Sequence, residues 1–333
     1  MRSIFLCDQP DTLQGVYTEE QRARLITTAG ADETVYRRAD LLSSPKSFHN
    51  VDHIFSTWGM PALTEDEIAR CLPNLQCVFY GAGSVQQFAR PFLCRGVRVF
   101  SAWAANAVPV AEYAVAQIVL AGKGFYGYPP LMRERELAEC NRRKKGFVGN
   151  YGERVGLIGV GMIGSMVAER LQSYSLEVCA YDPFLSPERA AALHVKPVSL
   201  EELFSTCRVV SNHLANNAQT RGMLDYALFS RMLPYSTFIN TGRGAQVVED
   251  DLVRHLGERE DVTAVLDVTD PEPPPEGHPF YTLPNCHLTP HIAGSLNAET
   301  HRMAEYMIEE FDHVRLGCPV HYEVTLKMLE TMA

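Results

Sequence analysis

One histidine and three acidic residues near the end of the chain have types and a spacing that suit proton transfer. His291 follows a proline in the segment CHLTPHIAGS, and Asp267, Asp270 and Glu272 lie in the earlier segment DVTDPEP. Histidine changes charge near neutral pH and passes a proton in either direction, which suits a reaction that interconverts a carbonyl and an alcohol. A carboxylate partner would hold the imidazole in position and favour its protonated form. Each of the three acids is a candidate for that partner.

An arginine at the end of a predicted strand suits the binding of a carboxylate. In the segment FINTGRGAQV, the apolar run 237–239 leads into Arg243, which has a glycine on each side. The planar guanidinium binds a carboxylate at two points, which a lysine would not reproduce. If the sheet is parallel, Arg243 lies at its carboxyl edge, where open α/β sheets bind their ligands.

A glycine motif in the middle of the chain has the spacing of a dinucleotide-binding loop. Gly159, Gly161 and Gly164 form GxGxxG directly after an apolar strand and directly before a helical pattern. The first glycine permits a tight turn, the second lets the backbone approach a pyrophosphate, and the third lets helix and strand pack closely. Asp182 ends the next strand, where its carboxylate would bind a ribose 2′-hydroxyl and repel a 2′-phosphate. The pattern therefore predicts NAD, with NADH preferred over NADPH.

The elements that must position these residues alternate between short β-rich runs and helical stretches, which is typical of parallel sheets. The first series has predicted strands at 4–7, 52–56, 77–80 and 97–100, with an amphipathic segment at 64–71. The second series has predicted strands at 154–158, 177–181, 209–213, 237–240, 263–268 and 287–288. Six strands is the number in a complete doubly wound dinucleotide fold.

The segments around the two series complete the predicted architecture. Residues 107–122 predict a long helix buried between two units, because the stretch is too apolar for a surface helix. Residues 126–150, with mixed charge and several glycines, predict a boundary, and residues 297–316 predict a last helix. We therefore predict an α/β protein with two Rossmann-like or flavodoxin-like doubly wound parallel-sheet domains and a cleft between them.

Composition excludes several functions. A length of 333 residues suggests about two domains. The net charge of -10 argues against nucleic acid or anionic membrane as partners, and a solvated linker explains the basic run 142–145. The nine cysteines are scattered without metal-ligand spacing, which indicates free thiols in a reducing compartment and no metal. The longest apolar segment, 108–122, carries Glu112 and is shorter than the roughly 20 residues that span a bilayer. We predict a cytoplasmic protein.

Four motifs in one order carry a resemblance to a known family. GxGxxG followed by an aspartate, then NTGRG, then DVxxxEP, then LTPHIAG resembles the D-isomer-specific 2-hydroxyacid dehydrogenases, from about residue 75 to about residue 307. The resemblance implies an NAD-dependent enzyme that interconverts a 2-oxo acid and a D-2-hydroxy acid. It also implies a discontinuous substrate-binding domain, 1–103 with 297–333, and an NAD-binding domain, 104–296.

The resemblance assigns roles to the residues singled out above. It implies that Arg243 binds the substrate carboxylate and polarises the carbonyl, while His291 is the acid/base. Glu272 would form a hydrogen bond with His291, and Asp267 would meet the nicotinamide carboxamide. The implied cofactor contacts are Gly159, Gly161, Met162, Ile163, Gly164, Asp182, His213, Thr220, Thr241, Asp267, His291 and Gly294. The implied substrate contacts are Ala82, Gly83, Ser84 and Arg243, with Trp58 and Trp103 shaping the pocket.

Departures from the family pattern leave the particular member open. Gln86 and Gln87 stand where the family has an aspartate, Thr269 stands where it has a phenylalanine, and Ala215 stands where it has a proline. Two alternatives stay open: a non-catalytic NAD-sensing protein resembling the family's corepressors, and a formate or phosphite dehydrogenase on the same scaffold. The resemblance also implies a homodimer, with residues 126–149 as a candidate contact.

Overall fold

The computed structural model describes residues 1–147 and 149–330. Its backbone forms two compact units: a discontinuous unit, Met1–Ala107 with Ser295–Ala333, and a central unit, Val108–Gly294. The domain limits expected from the sequence, 103/104 and 296/297, remain a prediction. Residues 331–333, which the sequence analysis assigned to the first domain, lie outside the described residues.

The strands and helices follow one another in alternation along most of the chain. In order they are β1 Ser3–Leu6, α1 Pro10–Val16, α2 Glu19–Ala29, β2 Ala31–Tyr36, α3 Arg38–Ser43, β3 His53–Ser56, α4 Glu65–Cys71, β4 Cys77–Tyr80, α5 Ala89–Cys94, β5 Arg98–Ser101, α6 Trp103–Gly122, α7 Tyr128–Arg133, α8 Leu137–Lys144, β6 Arg154–Ile158, α9 Met162–Leu171, β7 Glu177–Tyr181, α10 Pro187–Ala192, β8 Lys196–Pro197, α11 Leu200–Thr206, β9 Val209–Asn212, α12 Tyr226–Phe229, β10 Thr237–Asn240, α13 Glu249–Glu258, β11 Thr263–Leu266, β12 Cys286–Leu288, α14 Thr300–Leu316 and β13 Glu323–Val324.

The central unit is built on a parallel sheet of seven strands in the order β12-β11-β10-β9-β6-β7-β8. Numbered within the unit, the strands beside β6 run 3-2-1-4-5-6, the order of the dinucleotide-binding fold. The direction of winding reverses between β6 and β9, and in such sheets the crevice at the reversal is where ligands bind. The segments after β6, β9, β10, β11 and β12 all leave the sheet at this carboxyl edge.

The discontinuous unit has a sheet of six strands in the order β13-β5-β4-β3-β1-β2. The strands β1 to β5 are parallel in the flavodoxin-like order 2-1-3-4-5, and β13 pairs antiparallel with β5 at the edge. The two sheets with their alternating helices confirm the predicted α/β class of doubly wound parallel sheets.

Both faces of each sheet are covered by apolar side chains. In β10 of the central sheet, Phe238 packs with α11 and α13 on one face, and its neighbour Ile239 packs with α6 and α9 on the other. Strands buried on both faces read as continuous apolar runs, which is why the sequence predicted the inner strands to within two residues. The strands β6, β7 and β10 have the predicted bounds.

The prediction missed the edge strands β8, β2 and β13, although it found β12 at the fourth edge. The central sheet has seven strands rather than the predicted six, because the two-residue β8 lies at an edge where exposed residues and a proline are tolerated. Strand β2, with the sequence ADETVY, was also missed because its polar residues face solvent at the other sheet's edge. Edge strands bury one side only, so they give no apolar run.

Two further predictions need correction. The helix predicted at 107–122 begins at Trp103, so α6 has 20 residues. By length and apolar composition alone it could cross a membrane, and the core helices of globular proteins meet the same two criteria. Of its most apolar window, 56% is buried. The basic run 142–145 is not a linker: it ends α8, where Arg142 and Arg143 both form ion pairs with Glu139. In the candidate dimer contact 126–149, residue 148 lies outside the described residues.

Candidate active site

The glycine motif forms the turn between β6 and α9, and its three glycines are needed for different reasons. Gly159 has a φ of 85°, and a Cβ there would lie 3.0 Å from the carbonyl oxygen of His213. A Cβ on Gly164 would lie 2.1 Å from the carbonyl oxygen of Gly159, so the helix packs directly on the turn. A Cβ on Gly161, which precedes the ten-residue helix α9, would have no described atom within 4 Å beyond its chain neighbours. That open space at a helix N-terminus fits a pyrophosphate.

Asp182 holds the glycine turn through both oxygens of its carboxylate. One carboxylate oxygen accepts a hydrogen bond from the Val160 amide at 2.7 Å, and the other accepts from the Phe184 amide at 2.8 Å. On the other side, Arg189 donates to the Val160 carbonyl at 3.0 Å and to the Ser165 hydroxyl at 2.9 Å. Each carboxylate oxygen has two lone pairs, so Asp182 keeps capacity for a ribose hydroxyl.

His213 follows β9 beside the glycine turn and is buried. Burial lowers the pKa of His213 to about 4, so the imidazole is neutral at neutral pH. Its Nδ1 lies 3.3 Å from the hydroxyl of Thr241, while its Nε2 is buried and has no hydrogen-bond partner among the described residues. Buried polar atoms are nearly always paired, so the orphaned nitrogen fits a site that a bound ligand completes.

The remaining predicted cofactor residues divide into two groups. Met162 and Ile163 form the first turn of α9, and Gly294 follows His291 in the loop after β12. Thr220 lies in the segment after β9, where its hydroxyl donates to the carbonyl of Ala215 at 2.7 Å and closes a turn.

Arg243 leaves the carboxyl edge of the sheet after β10 and is half-buried. Its Nη1 donates to the carbonyl oxygen of Gly242 at 2.7 Å. Burial lowers the pKa of the guanidinium from its ordinary value, and the nearby Glu272 carboxylate, which acts in the opposite sense, does not compensate. A buried cation without full compensation is costly, so this arrangement favours an anionic ligand.

Glu272 and His291 are 19 residues apart in the sequence, and the structure brings their side chains into the contact that the resemblance implied. The Nδ1 atom of His291 lies 2.7 Å from Oε1 of Glu272, and the side chains are 45% and 39% exposed. His291 has a φ of 55°, in the left-handed region that is uncommon for a residue with a side chain. Such backbone strain is found at functional sites, where surrounding structure enforces it.

Asp267 supplies much of that surrounding structure. Its carboxylate is 2% exposed and accepts three hydrogen bonds: from the Thr289 hydroxyl at 2.6 Å, from the Ile292 amide at 2.8 Å and from the Ala293 amide at 2.9 Å. Its backbone carbonyl accepts from the His291 amide at 3.1 Å. Asp267 therefore fixes the loop that carries His291, and its predicted contact with the nicotinamide remains a prediction.

Asp270, the remaining acid of the segment DVTDPEP, has a structural role. The sequence left Asp270 without a partner, but its side chain forms an exposed ion pair with Arg221 at 3.3 Å, and its amide donates to Oε1 of Glu249 at 2.8 Å. A Cβ on Gly244 would lie 1.9 Å from the carbonyl carbon of Thr269. The Thr269–Asp270 peptide is thus seated between Gly244, next to Arg243, and Glu249.

Glu249 is a titratable residue of this site that the sequence did not reveal. Burial raises the pKa of Glu249 to about 7; the bond from the Asp270 amide opposes this, and the carboxylates of Asp270 and Asp250 add to it. Its Oε2 lies 3.9 Å from Nε2 of His278. The only signal was an acid in the first turn of a helix, which is common and gives no hint of burial.

The predicted substrate residues of the discontinuous unit follow the carboxyl ends of its strands. Ala82 is buried, Gly83 is partly exposed and Ser84 is exposed after β4, and the Ser101 hydroxyl holds this loop through the carbonyls of Ala82 and Gly83. Trp58 is 40% exposed after β3. Trp103 packs edge-on against Tyr322, so a part of its surface is committed to packing.

Comparison with known proteins agrees with this architecture. The family model for the D-isomer specific 2-hydroxyacid dehydrogenase NAD-binding domain matches residues 115–293. A D-3-phosphoglycerate dehydrogenase of Archaeoglobus fulgidus is 31% identical over 238 residues, which are 71% of this chain and 44% of that protein. The chain thus spans less than half the length of this relative.

Solved structures match over nearly the whole chain. A Thermus thermophilus protein matches with a TM-score of 0.71 and 26% identity, over 98% of this chain and 100% of that one. The D-mandelate dehydrogenase of Rhodotorula graminis shares the fold, with a TM-score of 0.81 at 19% identity over 97% of each chain. The chain belongs to the D-isomer specific 2-hydroxyacid dehydrogenase family, which confirms the resemblance, and residues 115–293 are its NAD-binding domain.

Two glycine substitutions separate packing from cofactor binding. Gly164→Ala places a methyl group against the Gly159 carbonyl, and we expect it to lower the free energy of unfolding by about 1–3 kcal/mol. Gly161→Ala meets open space, so we expect a smaller loss of stability, which comes from the poorer helix cap, and weaker NADH binding. Thermal unfolding and a fluorescence titration with NADH measure the two effects. Equal stability of the two variants would contradict the packing inferred here.

The raised pKa of Glu249 predicts a pH-dependent stability. The folded carboxyl keeps its proton up to about pH 7, whereas the unfolded chain loses it near pH ~4.3, so the folded state loses stability as the pH rises between these values. Between about pH 5 and about pH 8, the wild type should lose up to about 3 kcal/mol of unfolding free energy that Glu249→Gln does not lose. Chemical denaturation at several pH values measures this. The exposed Glu260→Gln is the matched control, and a pH profile of Glu249→Gln parallel to the wild type would refute the assignment.

Proposed function

We propose that this protein is an NAD(H)-dependent oxidoreductase that interconverts a 2-oxo acid and a D-2-hydroxy acid. The observation that carries the proposal is the Glu272–His291 pair, with 2.7 Å between Oε1 and Nδ1 and with His291 on a loop fixed by Asp267. The charge of Glu272 also acts on Arg243, so an acid/base pair and an anion-binding group share one edge of the central sheet. Family membership supports the same reaction class.

In this proposal Arg243 binds the substrate carboxylate and faces the carbonyl. Because burial already penalises the guanidinium charge, an anionic substrate relieves an existing cost. The same charge stabilises the negative charge that develops on the carbonyl oxygen during reduction. Two donors in a fixed plane also orient the substrate, which a lysine would do less well.

His291 is the proposed acid/base. Its Nδ1 is engaged by Glu272, which leaves Nε2 to give a proton to the carbonyl oxygen or to remove one from the alcohol in the reverse direction. Glu272 fixes the ring orientation through that contact. Bound NADH supplies the hydride in reduction.

Several finer features belong to the proposal. The carboxylate of Asp182 supports a preference for NADH over NADPH. The substrate roles of Ala82, Gly83, Ser84, Trp58 and Trp103 and the homodimer rest on the resemblance, and the cytoplasmic location rests on the scattered cysteines and the apolar segments of the sequence. No particular substrate is proposed, because the relatives named for phosphoglycerate extend far beyond the aligned region.

Assays of the wild type test the reaction and its alternatives together. With a panel of 2-oxo acids, we expect loss of NADH absorbance, with kcat/KM at least about tenfold higher for NADH than for NADPH. Formate or phosphite with NAD, assayed in parallel, tests the alternative dehydrogenases. Activity with those donors alone would overturn the proposal, and tight NADH binding without turnover of any substrate would favour the corepressor-like alternative.

Replacement of His291 tests the acid/base role. Asparagine tolerates a positive φ but cannot transfer a proton at neutral pH, so His291→Asn should lower kcat by about 10²–10⁴-fold and change the Kd of NADH by much less. The matched control is His194→Asn, since His194 is exposed, lies in the same unit and has a φ of 52°. Wild-type turnover by His291→Asn would remove His291 from the mechanism.

A further inference from the structure

Three buried side-chain amides lie together at the carboxyl edge of the central sheet. Asn212 ends β9, Asn240 ends β10, and Gln246 follows in the turn after Arg243; they are 0%, 1% and 0% exposed. Nδ2 of Asn212 donates to Oδ1 of Asn240 at 3.0 Å and to Oε1 of Gln246 at 2.6 Å. We call these three residues the amide cluster.

The amide cluster holds both backbone groups of Arg243. The Arg243 amide donates to Oε1 of Gln246 at 3.1 Å, and the Arg243 carbonyl accepts from Nδ2 of Asn240 at 3.2 Å. The amide of Gly242, whose carbonyl accepts from the guanidinium, donates to Oδ1 of Asn240 at 3.0 Å. The cluster therefore fixes the base from which the Arg243 side chain extends.

The same cluster holds the loop after β9. The Leu214 amide donates to Oδ1 of Asn212 at 3.2 Å, and the Leu214 carbonyl accepts from Nε2 of Gln246 at 2.8 Å. Leu214 follows His213, a residue of the predicted cofactor site. One buried unit thus joins the loop beside the cofactor site to the loop that carries the anion-binding arginine.

The cluster also explains a glycine in NTGRG. A Cβ on Gly242 would lie 2.6 Å from Oε1 of Gln246 and 2.9 Å from Nδ2 of Asn212. Gly242 is therefore needed because the amides occupy the space beside its Cα. Any larger residue would displace a side chain that is buried and hydrogen-bonded on several sides.

The chemistry of the cluster indicates a positioning task. Burying an amide is costly unless its donors and acceptors are paired, and here each oxygen and nitrogen of the three amides has a partner. An apolar replacement of Gln246 would leave the amides of Arg243 and Asn212 and the carbonyl of Leu214 without these partners. A fully paired buried network specifies one geometry for the groups that it binds.

We propose that Asn212, Asn240 and Gln246 are positioning residues that set the place of the Arg243 guanidinium. The effect on catalysis rests on the proposed function, in which Arg243 binds the substrate carboxylate. The three residues do not touch the substrate and act through Arg243.

Replacement of Gln246 tests the catalytic consequence. In Gln246→Leu, Arg243 loses its amide partner, and we expect KM for the 2-oxo acid to rise and kcat/KM to fall by about tenfold, with an unchanged pH profile. Gln246→Glu keeps an acceptor toward the Arg243 amide and should recover part of this loss. A merely structural role would lower the unfolding temperature of both variants and leave kcat/KM within about twofold of the wild type.

Amide hydrogen exchange gives a readout that does not need turnover. We expect the Arg243 amide to exchange at least about tenfold faster in Gln246→Leu than in the wild type, with the Ile239 amide of β10 as the internal control. Unchanged exchange at Arg243 would overturn the positioning role even in an active enzyme. If the wild type reduces no 2-oxo acid, the proposed function fails, and the exchange rates still decide whether the cluster holds Arg243. If Gln246→Leu does not fold, Gln246→Glu takes its place in this measurement, with an expected rise in exchange that is smaller.

A double-mutant cycle tests the link to Gly242. If Gly242→Ala acts mainly by displacing the Gln246 amide, the double variant Gly242→Ala/Gln246→Ala should lose less kcat/KM than the two single losses combined, with a residual loss from the contact with Asn212. Additive losses would show that the two residues act separately and would contradict the proposed cause.

Discussion

The buried carboxylate of Asp267 is the constraint on which the candidate active site depends. Asp267 directly follows β11. Its carboxylate accepts hydrogen bonds from the hydroxyl of Thr289 and from the amides of Ile292 and Ala293, so one side chain fixes the loop that follows the neighbouring strand β12. His291 lies inside that loop with a positive φ. These bonds hold the His291 backbone in a left-handed conformation that a residue with a side chain disfavours.

Close approach of backbone segments sets the rest of the geometry. Gly244 lets the Thr269–Asp270 peptide pack against the turn that carries Arg243, and the segment then continues to Glu272. The prolines of this segment limit the chain further, since each fixes its own φ. Arginine, glutamate and histidine thus come from three separate loops, which are held by side-chain bonds such as those of Asp267 and by close main-chain packing at Gly244.

Much of this was predictable from the sequence, for a physical reason. Inner strands such as β6 and β10 are apolar throughout, and Gly159, Glu272 and His291 lie in motifs whose residue types and order are specific to one kind of site. Edge strands such as β2 and β8 are not apolar and were missed. Glu249 and the amide cluster were missed for another reason: glutamate, asparagine and glutamine are usually exposed, and only tertiary packing buries them. Sequence patterns identify residues that touch a ligand more readily than residues that hold those residues in place.

Two kinds of electrostatic arrangement meet at this edge of the sheet. The three side-chain amides of the amide cluster bond to one another and to main-chain groups, and so they add rigidity without adding charge. The Arg243 charge is only partly compensated, because burial lowers the guanidinium pKa more than the Glu272 carboxylate raises it. The carboxylate of Glu272 already contacts His291, with 2.7 Å between Oε1 and Nδ1, so it is not fully available to compensate the charge of Arg243. In the proposed function, a rigid frame around an incompletely compensated cation selects an anionic substrate and holds it at a fixed distance from the proposed acid/base, because the frame cannot relax around a ligand that lacks the charge.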